Sequence, residues 1–349
     1  MFTNFVPIRI SWSVDSNNGA HFERYQPMVI NKEEDVAPQS ELHPKTPTKQ
    51  KKSDLFLRTI LVGIDFSTNC KTALGVAQGL AQIYGSEIIL THVVNQVGSP
   101  SPDAGALFTA PELGQAMAED LERLSQQIKE RGIPSRAVLL EGPVAPSIQQ
   151  LVLDENPDLV VIGTHGSHGI ERLVMGSTAE MILRSVSCPV MTVGPNCMNT
   201  AENPSGFQTI LYATSLSNRA ESALCYASLF ALKVNAHIQL VHAVEQIDAP
   251  SRDTIDTGFQ EMEKTIAGHL AGSTSRVTSH LVYGEPTEAI IDRARKIGAD
   301  LLILEVHRSK RFRFFLPEST VYRVICSAPC PVLTVMNTGM NAATTNREC

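Results

Sequence analysis

The stretch VVIGTHGSHGIERLVMGST, Val160 to Thr178, combines four glycines with two closing hydroxyls, and its spacing suggests anion chemistry. Gly163 lets the main chain leave a strand with no Cβ in the way of a sugar or phosphate. Gly166 and Gly169 can take positive φ and turn successive N–H groups toward one point. Gly176 and Ser177 stand where STAEMILRS predicts a helix start. A helix N-terminus offers unsatisfied N–H donors and about half a positive charge. The hydroxyls of Ser177 and Thr178 add donors, so the spaced set reads as a phosphate cradle. No Lys lies in the loop, as G-x-x-x-x-G-K-[ST] would need, and the first strand ends in GIDFS, not in a dinucleotide fingerprint. His165 and His168 lack helical i, i+4 spacing and a third ligand, so they read as loop hydrogen-bond partners of backbone or phosphate, not as a zinc pair. Arg172 is left between a phosphate contact and a solvated surface.

The elements that must position these residues come from an internal repeat. TILVGIDFSTNCKTALGVAQGLAQIYGSEIILTHVV (Thr59–Val94) aligns without a gap on TILYATSLSNRAESALCYASLFALKVNAHIQLVHAV (Thr209–Val244), and VSCPVMTV (Val186–Val193) on APCPVLTV (Ala328–Val335). In the first copy, short apolar runs near Thr59–Asp65, Glu87–Val94, Ala137–Leu140, Leu159–Gly163 and Pro189–Val193 show little polar alternation. That is the pattern of parallel strands buried on both faces. Helical patterns lie between them at Cys70–Tyr84, Glu112–Arg131, Ala145–Glu155 and Ser177–Ser187. The fold class is α/β: two tandem doubly wound domains, each a five-stranded parallel sheet. Strand one ends at Asp65 and strand four at Gly163, so both point into the crevice where such sheets bind ligands.

The boundaries read as 1–55 a disordered N-terminal extension, 56–195 the first domain, 196–206 a linker, 207–336 the second domain and 337–349 a disordered tail. A net charge of −7 with mixed signs argues against a nucleic-acid partner, and KTPTKQKK reads as solvated linker. No apolar run approaches the ~20 residues that span a bilayer, and the N-terminus does not read as a secretion signal. Seven scattered cysteines suit a reducing cytoplasm, with Cys326 and Cys330 as small buried residues.

Together ILVGIDFS, THVV, GTHGSHGIERLVMGS and CPVMTV resemble the universal stress protein family, whose nucleotide motif G-x-x-G-x9-G-[ST] fits at Gly163, Gly166, Gly176 and Ser177. The resemblance is strong over residues 56–195 and weaker over 207–336. It implies an adenine nucleotide alpha hydrolase-like fold and a site for ATP, ADP or AMP, with Mg²⁺ or Mn²⁺ as a companion ion. By the same resemblance Asp65 would face the adenine and ribose edge and Val93 would line the base pocket. Gly163, His165 and Gly166 would hold ribose and α-phosphate, and Gly176, Ser177 and Thr178 the outer phosphates. It also implies that the two domains pair through their last strands, Val190–Val193 and Val332–Val335, within one chain; a homodimer of whole chains is left open.

In the second copy Glu305, Arg308 and Glu318 stand opposite Gly163, Gly166 and Gly176, and Ser215 opposite Asp65; Ser319 alone survives, opposite Ser177. Carboxylates there would repel a polyphosphate, by about 1 kcal/mol for a like pair at ~4 Å in bulk water and more in a cleft. The expectation is a nucleotide-dependent regulator or switch in stress response, with nucleotide in the first domain only. The alternatives are a slow ATPase or self-phosphorylating protein, and a nucleotide-free scaffold. No residue is assigned a catalytic role.

Overall fold

The computed structural model describes residues 8–10, 13–15, 19–21, 57–94, 110–164, 174–197, 206–216, 221–245, 251–307, 317 and 319–337. Three short strands come first: β1 (Ile8–Ile10), then the hairpin of β2 (Ser13–Asp15) and β3 (Gly19–His21). The first half follows as β4 (Thr59–Gly63), α1 (Thr68–Tyr84), β5 (Glu87–Val94), α2 (Ala110–Glu130), β6 (Ser135–Glu141), α3 (Val144–Glu155), β7 (Leu159–Gly163), α4 (Ser177–Ser185) and β8 (Val190–Val193). The second half repeats it as β9 (Thr209–Ala213), α5 (Glu221–Val234), β10 (His237–Val244), α6 (Arg252–His269), β11 (Arg276–Tyr283), α7 (Pro286–Ile297), β12 (Leu301–His307), α8 (Thr320–Ser327) and β13 (Val332–Asn337).

β1 and the ten strands of the two halves share one sheet in the order β1-β6-β5-β4-β7-β8-β13-β12-β9-β10-β11. Within each half the pairs are parallel, because every return passes through a helix on a sheet face. Residues alternate between two cores: Ile60, Val62, Ile88 and Leu90 pack under α1, while Leu61, Ile89 and Val160 pack under α3 and α4.

The two halves meet where β8 and β13 run antiparallel, with Thr192 opposite Val332, Met191 opposite Leu333 and Val190 opposite Thr334. Since Val190, Met191 and Thr192 align with Val332, Leu333 and Thr334, the pairing is self-complementary about Met191 and Leu333. It is the isologous arrangement of a two-fold dimer, built inside one chain. Pairing the fifth strands removes two open edges at once. On one face Tyr84 of α1 meets Phe230 of α5 edge to face at 5.8 Å, with Phe207 at 5.9 Å from Phe230. On the other face, the backbone N–H of Met175, just before α4, donates to the hydroxyl of Tyr322 in α8 at 3.0 Å.

One end of the sheet differs from expectation. Part of the 1–55 segment joins the fold: Ile8–Ile10 pair in parallel with Val138–Leu140, adding β1 to the edge of β6. Even three residues can satisfy backbone groups that an edge strand leaves open. The rest of that extension, most of the 196–206 linker and the tail beyond Asn337 lie outside the described residues. Cys326 and Cys330 are free and buried, as expected of small core residues. Five of the six described cysteines are free; Cys225 is disulfide-bonded and departs from the reading of wholly reduced thiols.

Candidate functional site

β4 and β7 lie side by side, with Ile60 opposite Leu159 and Val62 opposite Val161. The chain passes from β4 to β5 on one side while β7 lies on the other, so the crevice beyond their carboxyl ends is the switch point of the first half. α1 leaves β4 on one face of the sheet, and α4 leaves β7 on the opposite face. The predicted Asp65, Gly163, Gly176, Ser177 and Thr178 all belong to these exits.

The exit from β4 is a tight turn. Asp65 is exposed, and its Oδ1 accepts from the Ser67 N–H at 2.9 Å. Ser67 in turn caps α1, its Oγ accepting from the Cys70 N–H at 3.1 Å. Between them Phe66 takes a left-handed φ of 59°, uncommon for a bulky residue, and its ring lies 5.3 Å from that of His92. His92 Nδ1 is 2.7 Å from the carbonyl oxygen of Ile64; a carbonyl only accepts, so Nδ1 carries the proton of that bond. The second half repeats the device, with Leu216 at φ 56° and His242 Nδ1 2.8 Å from the Thr214 oxygen. The strained turn and its histidine tie are therefore architecture shared by both halves. Both histidines lie in the aligned segments Thr59–Val94 and Thr209–Val244, and their identical place there was the available signal.

Burial raises the Cys70 thiol to about 11, and its Sγ donates to the Gly63 carbonyl at 3.6 Å, so the nearest thiol is no nucleophile. Val93 sits half-buried near the end of β5, opposite Leu140, against the core beneath α3 and α4.

Gly163 ends β7 beside the start of α1. Its empty Cβ position points at the first turn of α1, 3.4 Å from the backbone carbon of Asn69 and 3.5 Å from the Cys70 nitrogen. A Cβ here would sit in ordinary van der Waals contact with α1. His165 and Gly166 lie outside the described residues.

The start of α4 is the distinctive feature. Its N-cap is Gly176, which has no side chain to accept a helix N–H. The Gly176 N–H itself donates to the Thr164 carbonyl at 2.8 Å, pinning the turn to the end of β7. Ser177 and Thr178 follow, both exposed, with the first-turn amides unaddressed by any cap side chain. In the second half α8 begins behind Ser319, whose Oγ accepts from the Tyr322 N–H at 3.2 Å. There the end of β12 carries half-buried Glu305, whose Oε2 accepts from the Tyr212 hydroxyl at 3.4 Å. Tyr212 is fully buried; burial first, and the Glu305 carboxylate second, hold its hydroxyl well above the usual phenol range. Arg308 and Glu318 lie outside the described residues. Among the described residues no group of three His, Cys, Asp or Glu could hold a metal ion. No helix among them is long and apolar enough to cross a membrane.

Comparison with known proteins matches the universal stress protein family at residues 57–194 and again at 206–336. A universal stress protein of Thermus aquaticus is 32% identical over 141 residues, covering 39% of this chain and 98% of the relative. One of Mycolicibacterium smegmatis is 24% identical over 291 residues, covering 79% of this chain and 96% of the relative. The solved structure of a universal stress protein from Archaeoglobus fulgidus superposes with a TM-score of 0.63 at 24% identity, covering 80% of this chain and 98% of that one. The likeness to that structure spans both halves and supports the fold alone.

Proposed function

The chain belongs to the universal stress protein family, and on that footing we propose that it binds one adenine nucleotide, in its first half, and acts as a cytoplasmic nucleotide-dependent regulator in stress response. The observation that carries this reading is the uncapped start of α4 beside the self-capped start of α8. The N–H groups of Ser177, Thr178 and Ala179 and the hydroxyls of Ser177 and Thr178 would receive the outer phosphates. Asp65, with Oδ1 committed to the turn, would offer its other carboxylate oxygen to a ribose hydroxyl or the base edge. Val93 would border the base. The motif supplies His165 and Gly166 between these two ends.

A divalent cation travelling with the nucleotide would be held by phosphate oxygens and one of the two hydroxyls, since the described residues offer no carboxylate cage. In the second half, Glu305 would meet a phosphate with like charge and Ser319 already serves its own helix. Calorimetry of the full chain with ATP, ADP and AMP, with and without Mg²⁺, tests the proposal. The expected stoichiometry is one nucleotide per chain. Two per chain, or no binding under any of these conditions, overturns it.

A further inference from the structure

We infer that Tyr322, in the second half, is a positioning residue for the phosphate-binding start of α4 in the first half, a reading that rests on the nucleotide site proposed above. The Tyr322 hydroxyl accepts from the Met175 N–H at 3.0 Å across 147 residues of sequence. Both residues are buried, Met175 at 3% and Tyr322 at 5% exposed. Cys326, one helical turn further along α8, is buried in the same core cluster as Met175 and Tyr322. Met175 is the residue immediately before Gly176, whose own N–H is fixed to Thr164. Successive amides ahead of α4 are thus anchored in two directions, one to β7 and one to the other half of the molecule. The first-turn donors beyond them are held in place before any ligand arrives, which removes part of the ordering cost of binding.

The brace runs one way only. The repeat places Glu180 opposite Tyr322 and Pro317 opposite Met175. Proline has no N–H to give, and Glu180 is engaged with Arg184 on its own helix. The second half therefore supports the anion site of the first and receives no matching support. This gives the second half a role that does not require it to bind nucleotide.

The test uses the full chain with Tyr322→Phe, which keeps the ring and removes the acceptor. Leaving the Met175 N–H without this acceptor loosens the turn ahead of α4, so the expected loss of ATP affinity is about tenfold. Amide exchange across 174–180 without nucleotide is expected to quicken by a similar factor. Thr334→Val is the control: Thr334 lies in the β8–β13 seam, its buried Oγ1 has no partner, and its loss should leave ATP affinity unchanged. A lowered melting temperature in Tyr322→Phe with unchanged ATP affinity would mean that Tyr322 merely holds the halves together, and overturns the inference. If the wild-type chain binds no nucleotide, the functional proposal fails by itself. The exchange measurement then decides on Tyr322 alone, unchanged exchange across 174–180 counting against it.

Discussion

α4 starts behind a glycine with no side chain to accept a helix N–H, and α8 starts behind a serine whose hydroxyl accepts from Tyr322 N–H in its own first turn. The two helices occupy equivalent places in a repeat whose order of strands and helices and whose histidine ties are the same in both halves. Asp158 accepts from the N–H groups of Arg58 and Thr59, and Asp300 does the same for Gln208 and Thr209. At the carboxyl ends of the fourth strands Gly163 of the first half aligns with Glu305 of the second. A fold can thus keep its frame and exchange an uncapped helix start for a self-capped one by a handful of substitutions.

The strongest way to break that contrast is Gly176→Glu, which gives the first half the residue that the second carries at Glu318. A like charge at ~4 Å costs roughly 4 kcal/mol near a protein surface, so ATP affinity should fall about a thousandfold. The melting temperature of the ligand-free chain should stay where it is.

A smaller effect tests the joint. Gly206 has φ 71°, and an added Cβ would lie 2.8 Å from Ile83 Cδ1 and 3.0 Å from Val234 Cγ1, at the ends of α1 and α5. Gly206→Ala should destabilise the chain by about 2–3 kcal/mol through strain and overpacking together. Calorimetric melting should show both halves losing stability together, with nucleotide stoichiometry unchanged.

Ser319→Ala should lower stability by about 1 kcal/mol, because it removes a working cap. Ser177→Ala should leave stability within about 0.5 kcal/mol and weaken ATP binding instead. Denaturant titration and calorimetry on the pair separate the two roles.

The smallest effect concerns acid. α7 is capped by Glu285, which accepts from the Glu288 N–H at 3.0 Å and pairs with Arg323 of α8, whereas α3 has Pro143 at the same place and no side-chain cap. Burial works to raise the Glu285 carboxyl, but hydrogen bonds from Glu288 and Thr287 and the charge of Arg323 outweigh it and hold it low. Its contribution is complete above the unfolded value near ~4.3 and is lost as pH falls through the lower folded value. Amide exchange should therefore show α7 loosening over that acid range while the start of α3 does not respond.

Much of this was legible in the sequence because parallel strands buried on both faces read as unbroken apolar runs. β5 and β7 fall on the expected residues, and α1 and α4 within two residues at either end. The pairing of the fifth strands followed from the repeat together with the family resemblance. The crevice between Asp65 and Gly163 followed from sheet topology. Two things were not legible. The direction of an absent Cβ at Gly163 depends on where α1 packs, which periodicity does not encode. The Tyr322–Met175 bond joins residues brought together only by the antiparallel seam, so neither local pattern announces it. β1 escaped notice because Ile8–Ile10 is too short a run to stand out from a polar segment.

Native mass spectrometry of the full chain with ATP, alongside Gly176→Glu, tests the central asymmetry most directly. One nucleotide on the wild-type chain and none on the variant is the predicted result. Two nucleotides on the wild type, or one retained by Gly176→Glu, would contradict it.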